Sequence, residues 1–102
     1  MTKDANNGGG TGTADGLSLR LYVAGNAPNS VRAIGNIRAI CAEHFAGAHE
    51  LEIVDMLEHA QRALQDEILV TPTLLRLWPL PIERVVGNLS DTDQVLLTLG
   101  GT

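Results

Sequence analysis

The sequence predicts an α/β domain in which a four-stranded mixed sheet has helices on both faces. Three observations lead to this prediction. Apolar residues alternate at period two over residues 17–23, which is typical of a strand. A helical pattern separates that strand from a second apolar run at 51–56, which favours a parallel crossover. Two short apolar runs flank the proline-rich turn at 78–81 and predict an antiparallel hairpin, after which a last helix follows.

Length and composition restrict the class of protein. The 102 residues suffice for one domain with one core, and 44% of them are hydrophobic. The formal net charge is −5 and aromatic residues make up 3%, which argues against a nucleic-acid binder. Because no apolar run resembles a membrane span or a signal peptide, we expect a cytoplasmic protein. Residues 1–16 are expected to form a disordered Gly-rich tail before a domain at 17–102.

The first helix is predicted over residues 31–45, after a turn at 25–30. Ile37 and Cys41 belong to an apolar stripe at three- and four-residue steps, which we expect to be buried. Gly35 lies inside this helix, where glycine costs up to about 1 kcal/mol relative to alanine. We therefore expect another part of the chain to pack closely against it.

The second helix is predicted over residues 57–69 from its composition and its apolar spacing. Its apolar stripe is thin, so we expect it to be more exposed than the first helix. Glu58 and Arg62 are four residues apart and are expected to form an ion pair. The hairpin strands are predicted to start at residue 74 and to end at residue 86.

The last segment, residues 90–99, fits two structures. Ser90 and Asp93 have the spacing of a capping box, and acidic residues in a first turn suit the helix dipole. The β-branched and apolar residues at 95–99 also suit a strand. We predict a helix here, with a local preference that is divided.

Few side chains suggest catalysis or metal binding. Thiol redox chemistry needs a reactive thiolate beside a second thiol, and Cys41 is the one cysteine of the chain. Its place on the apolar stripe favours a packed core thiol. The three histidines have neither an i,i+4 partner nor a nearby cysteine, so no metal site or cofactor is predicted. Neither Ser30 nor Ser90 lies in a G-x-S-x-G turn, which argues against a hydrolase triad.

Five stretches carry a resemblance to a known family. They are LYVAGNAPNSVRA at 21–33, EIVDML at 52–57, ILVTPTL at 68–74, WPLPIERVVGNLSD at 78–91 and QVLLTL at 94–99. They resemble the KaiB circadian clock proteins, and the resemblance covers nearly the whole folded chain. A secondary likeness to thioredoxins, and to the sensor domain of the clock histidine kinase, rests on the turn at 71–73 and on Gly87 at the entry to the last helix.

The resemblance implies two folds for one chain. One is a monomeric thioredoxin-like βαβαββα fold, and the other is a resting homotetramer with a rearranged C-terminal half. It also implies a non-enzymatic module whose thioredoxin-like form binds the ATPase ring of a KaiC-type protein. In that role the module competes with the kinase sensor domain and recruits KaiA as a further partner.

Two sets of residues follow from the resemblance together with the turn and charge pattern. The partner-binding set is Asn26, Pro28, Asn29, Arg32, Glu52, Glu67, Arg76 and Arg84. The candidates for fold switching or a cis proline are Pro72, Pro79, Pro81, Gly87, Asn88, Ser90 and Asp91. Ordinary turn chemistry is the alternative for the residues at 26–32, and protection of an edge strand is the alternative for the two hairpin arginines. If the chain switches folds, proline isomerisation is expected to set part of the barrier.

The chain departs from the clock KaiB pattern at several positions. It has Glu52 and Glu67 where those proteins commonly carry basic residues, and Ala60 where they commonly carry proline. Reversed charges alter partner choice, so a divergent paralogue that keeps the thioredoxin-like fold permanently is one interpretation. The alternative functions are a thioredoxin-like thiol or glutathione enzyme that uses the Pro72 turn, and a kinase sensor domain. The absence of cysteine from the turn at 25–30 argues against the enzyme.

Overall fold

The computed structural model describes residues 16–100, so most of the predicted N-terminal tail lies outside the described residues. Its elements are, in order, β1 (Leu17–Val23), α1 (Pro28–His44), β2 (His49–Asp55), α2 (Ala60–Gln65), β3 (Thr73–Trp78), β4 (Glu83–Val86) and α3 (Thr92–Leu99). This order is the predicted one. It is the thioredoxin-like arrangement, and the C-terminal half has this fold rather than the rearranged alternative.

The four strands form one mixed sheet in the order β2-β1-β3-β4. β1 pairs with β2 in parallel, and the long crossover through α1 makes that pairing possible. β1 pairs with β3, and β3 with β4, in antiparallel fashion. The predicted parallel crossover and the predicted hairpin are therefore both confirmed, and β2 and β4 are the two edges.

The two faces of the sheet have separate cores. Leu21 and Leu74 pack with Ile37 of α1 and Val95 of α3 on one face. On the other face, Tyr22, Val54 and Leu75 pack with Ala63 of α2 and with Ile68. The prediction of helices on both faces is confirmed, and Tyr22 is fully buried because α2 covers the second face of β1.

The boundaries of two helices differ from the prediction. α1 begins at Pro28 instead of residue 31, because proline suits the first position of a helix, where no N–H partner is needed. α2 spans six residues, Ala60–Gln65, and the predicted range 57–69 was wrong at both ends. The amide of Leu57 is held by the Asp55 carboxylate in the preceding turn, with a distance of 2.9 Å from N to Oδ1.

Three local expectations have a clear outcome. Cys41 is buried, as predicted. A Cβ atom built on Gly35 would meet nothing within 4 Å, so the expected close contact is absent and that prediction was wrong. The last segment is the helix α3, but its N-cap is Asp91 instead of Ser90. The Asp91 carboxylate accepts a hydrogen bond from the amide of Gln94 at 3.2 Å.

Candidate functional site

One row of side chains crosses all four strands on the face that α2 covers. Glu52 of β2 lies opposite Arg20 of β1, Arg20 lies opposite Leu75 of β3, and Leu75 lies opposite Arg84 of β4. Residues that face each other across strands share one face of the sheet. Since Leu75 belongs to the core beneath α2, the charged members of this row point toward that helix.

Glu52 is held by two arginines. Arg62 of α2 places Nη1 2.7 Å from Oε2 and Nη2 2.8 Å from Oε1, which is a bidentate ion pair. Arg20 places Nε 2.9 Å from Oε1. Hydrogen bonds from Arg62 and then Arg20 lower the pKa of the Glu52 carboxyl from 4.5 to about 2. The expected pairing of Glu58 with Arg62 is replaced by this longer-range contact.

Asp66 follows the last residue of α2, and both its carboxylate and its backbone carbonyl accept hydrogen bonds from the sheet. The carboxylate accepts hydrogen bonds from Nη1 of Arg20, at 2.9 Å, and from the hydroxyl of Tyr22. The carbonyl oxygen accepts from Nη2 of Arg84 at 2.8 Å. Burial alone would raise the pKa of Asp66, but the hydrogen bonds from Tyr22 and Arg20 outweigh it and the pKa is lowered. Polar contacts thus hold a helix that buries little apolar surface.

Glu67 follows in a left-handed conformation, with φ of 58°. Its amide donates to the carbonyl of Leu64 at 3.1 Å, and the amide of Ile68 donates to that of Ala63 at 2.9 Å. These two bonds form a Schellman motif, in which glycine normally occupies the left-handed position. Arg84 also donates from Nη1 to the Glu67 carbonyl at 3.2 Å. Glu67 is exposed, and no ion pair to its carboxylate is seen within residues 16–100.

The predicted residues of the first turn form a separate patch. Asn26, Pro28, Asn29 and Arg32 are exposed at the end of β1 and the start of α1, which packs on the opposite face from α2. Arg32 donates from Nη1 to Oδ1 of Asn29 at 3.1 Å. The partner-binding set therefore divides, with these residues in one patch and the set's Glu52, Glu67 and Arg84 around α2.

Arg76 belongs to neither patch. Its Nη1 donates to the carbonyl of Thr98 in the last turn of α3 at 2.9 Å, and its Nη2 donates to the carbonyl of Pro81 at 2.7 Å. A guanidinium at the C-terminal end of a helix satisfies carbonyls that lack intrahelical partners. The geometry thus joins Arg76 to α3 and to the turn of the hairpin.

The fold-switch candidates lie along the hairpin and the segment that leads into α3. The peptide bonds before Pro72, Pro79 and Pro81 are cis. The amide of Gly87, a residue with φ of 119°, donates to the carbonyl of Pro72 at 2.9 Å. The side chain of Asn88 accepts from the amide of Ser90 at 3.0 Å. With the Asp91 cap, these bonds fix the path from β4 into α3.

Four residues around α2 were absent from the predicted set: Arg20, Tyr22, Arg62 and Asp66. The alternation along β1 places the first two on one face, which is a signal that the sequence contains. Their partners are set by the register between β1 and β2 and by the position at which α2 ends. Neither follows from the local pattern.

The comparisons with known proteins agree on one family. A family model described as the KaiB domain matches residues 20–100. The chain belongs to the KaiB family. It is 48% identical over 81 residues to the circadian clock oscillator protein KaiB of Synechococcus elongatus, covering 79% of each chain. The KaiB protein of Prochlorococcus marinus is 47% identical over 81 residues, covering 79% of this chain and 77% of the relative.

Solved structures with a similar fold extend beyond KaiB. The N-terminal domain of Synechococcus elongatus SasA superposes with a TM-score of 0.70 at 22% identity, covering 96% of each chain. Mitochondrial thioredoxin 3 of Saccharomyces cerevisiae has a TM-score of 0.70 at 9% identity, covering 86% of this chain and 80% of that one. At such identities the likeness concerns the fold, which is thioredoxin-like.

Three further observations concern the thiol, the metal-ligand side chains and the helices of the described residues. Burial raises the pKa of the Cys41 thiol, which keeps it in the unreactive protonated form. Among residues 16–100 there is no group of three or more His, Cys, Asp or Glu side chains that could hold a metal ion. No helix in that same range is long and apolar enough to cross a membrane.

Proposed function

We propose that this KaiB-family protein is a non-enzymatic, cytoplasmic interaction module that binds the ATPase ring of a KaiC-type protein. Identity of 48% to a curated KaiB clock oscillator supports the class of function. The observation that supports the binding site is the conformation of Glu67. This acidic residue is exposed and adopts a left-handed backbone conformation that glycine would adopt at lower cost. Strained residues of this kind cluster at functional sites.

The two acidic members of the set have different roles in this proposal. Glu52 is already paired with Arg62 and Arg20, which neutralise its charge within the protein. The carboxylate of Glu67 is directed toward solvent and is available to a partner. Charges at the rim of an interface determine partner choice and association rate more than affinity. We therefore expect a basic group opposite Glu67 on the ring that this protein binds.

Competition with a kinase sensor domain belongs to the same proposal. The chain shares its fold with the N-terminal domain of SasA, and two domains of one fold suit one docking site on the ring. The thioredoxin-like form binds as a monomer and offers a further surface to KaiA. If some of the molecules are held in a resting tetramer, the apparent affinity for the ring falls in proportion to the fraction that remains free to bind. The patch at residues 26–32 contributes a second contact.

Binding to the purified N-terminal ATPase ring of the KaiC-type protein from the same organism tests the proposal. We expect the wild type to bind, and Glu67→Lys to associate with the ring at least about tenfold more slowly, because the introduced positive charge opposes the basic group. The matched control is Glu43→Lys, the same charge change on the exposed side of α1, which we expect to bind normally. A wild type that binds no ring, with or without nucleotide, would refute the proposal.

A further inference from the structure

The Schellman end of α2 is joined to the edge strand of the sheet by one side chain. Arg84 lies on β4 and donates to the carbonyl oxygens of both Asp66 and Glu67, at 2.8 and 3.2 Å. These carbonyls come after the last turn of α2, where no intrahelical donor is available to them. Within the described residues, Arg84 is thus the hydrogen-bond link from the β3–β4 hairpin to the Glu67 backbone.

The position of Arg84 depends on strand pairing. β4 has four residues and pairs with β3 alone, so Arg84 faces α2 only while it stays opposite Leu75. A planar guanidinium with a fixed fork of donors suits two neighbouring carbonyls better than a single ammonium does. If β4 leaves β3, both hydrogen bonds are lost together and the left-handed Glu67 loses that support.

We propose that Arg84 is a positioning residue that makes the partner-facing end of α2 depend on the pairing of β4 with β3. This inference rests on the proposed function, because it takes Glu67 as the docking residue. The surface that a KaiC-type ring contacts is then formed by two distant parts of the chain. It is presented only while the C-terminal hairpin is in place, although the hairpin itself need not touch the ring.

Amide hydrogen exchange of the free protein tests the positioning directly. In Arg84→Gln we expect exchange at Glu67 and Ile68, whose amides hold the Schellman motif, to rise about tenfold. Exchange at Val31, whose amide donates to the carbonyl of Ala27 in the first turn of α1, should stay unchanged, since fraying of that turn leaves the Arg84 hydrogen bonds in place. Arg84→Lys should give an intermediate rise, and Arg38→Gln, which removes an exposed charge from α1, should give none. Unchanged exchange at Glu67 and Ile68 would overturn the inference, as would an equal rise at all three amides.

Ring binding by the same variants provides the second readout. We expect Arg84→Gln to bind about tenfold more weakly than wild type and Arg38→Gln to bind normally. Weaker binding with unchanged exchange would mean that Arg84 contacts the ring itself, which contradicts a positioning role. Faster exchange with normal binding would show that the α2 end is not the docking surface. A wild type that binds no ring refutes the proposed function, whereas the exchange result in the free protein would still stand.

Discussion

The Glu52 carboxylate and the Arg62 guanidinium form a two-point ion pair between β2 and α2, with Nη1 2.7 Å from Oε2 and Nη2 2.8 Å from Oε1. The side chains are 46% and 37% exposed, so solvent screens the pair. Such exposed pairs contribute little to stability, because water and salt screen them. Arg20 and Asp66 extend the pair into a network, and networks are the setting in which surface charges contribute most.

The first prediction concerns the acid side of the stability profile. The pKa of Glu52 is about 2 in the folded protein, whereas the ordinary value, which holds in the unfolded chain, is 4.5. The ionised carboxylate therefore contributes fully to the free energy of unfolding above about pH 4.5. This contribution is lost as the pH falls through 4.5 toward 2. We expect Glu52→Gln to lower the free energy of unfolding by about 0.5–1 kcal/mol at pH 7 and by almost nothing near pH 2. Urea titrations across that range measure the difference.

A matched control lies two residues away on the same strand. Glu50 is exposed, and we expect Glu50→Gln to change the free energy of unfolding little at any pH. A deficit in Glu52→Gln that stays constant between pH 7 and pH 2 would contradict the assignment of the lowered pKa to this ion pair.

The second prediction separates stability from binding at Glu67. Glycine adopts a φ of 58° without the steric cost of a side chain, so Glu67→Gly should raise the free energy of unfolding by about 1 kcal/mol. The same variant lacks the carboxylate and should bind the ring more weakly. Glu67→Gln keeps the strained backbone and removes the charge, so it should lose binding without the gain in stability. Thermal unfolding and ring titrations report the two effects, and a less stable glycine variant would argue against strain.

The third prediction uses the open surroundings of Gly35. Its position in α1 has helical geometry, and a methyl group added there would meet nothing within 4 Å, so Gly35→Ala should stabilise the protein by about 0.5–1 kcal/mol. Gly47 is the matched control, because it also has nothing within 4 Å but has φ of 74°. Gly47→Ala should therefore destabilise. The urea midpoints of the two variants measure these changes in stability. If both substitutions stabilise the protein, or both destabilise it, the argument from backbone geometry is contradicted.

The fourth prediction concerns the hold of Arg76 on α3. Replacing Arg76 with glutamine removes the hydrogen bonds to Thr98 and Pro81, and should lower the free energy of unfolding by about 1–2 kcal/mol. Helical chemical shifts over residues 92–99, measured at two concentrations, should weaken in Arg76→Gln and persist in Arg38→Gln. Strand shifts over these residues in a wild-type oligomer would instead place the resting population in the rearranged fold.

Most of the fold follows from the sequence, since strand alternation, the crossover length and the prolines of the hairpin determine the order of elements and the mixed sheet. The limits of α2 did not follow, because they depend on single bonds. Asp55 holds the preceding turn, and the left-handed Glu67 ends the helix although its side chain gives no sign of it. Residue 68, predicted as helix, is buried beyond that end.

The site was less accessible to prediction than the fold. The helical spacing of Glu58 and Arg62 suggested a local pair, yet Arg62 reaches Glu52 on a strand ten residues earlier. Only the parallel register, which sets Arg20 opposite Glu52, brings the charges together. Local spacing contains no information on that register, so the cluster becomes visible only when the sheet is assembled.

Trp78 is the one tryptophan of the chain, and it is the last residue of β3. The proline turn follows it directly, and Arg76 donates a hydrogen bond to the Pro81 carbonyl in that turn. The Trp78 side chain is partly open to solvent, whereas Tyr22 is enclosed beneath α2. Tryptophan emission therefore originates at one place, the tip of the β3–β4 hairpin. The protein carries a built-in optical reporter there, so movements of the hairpin can be timed by fluorescence without attaching a dye.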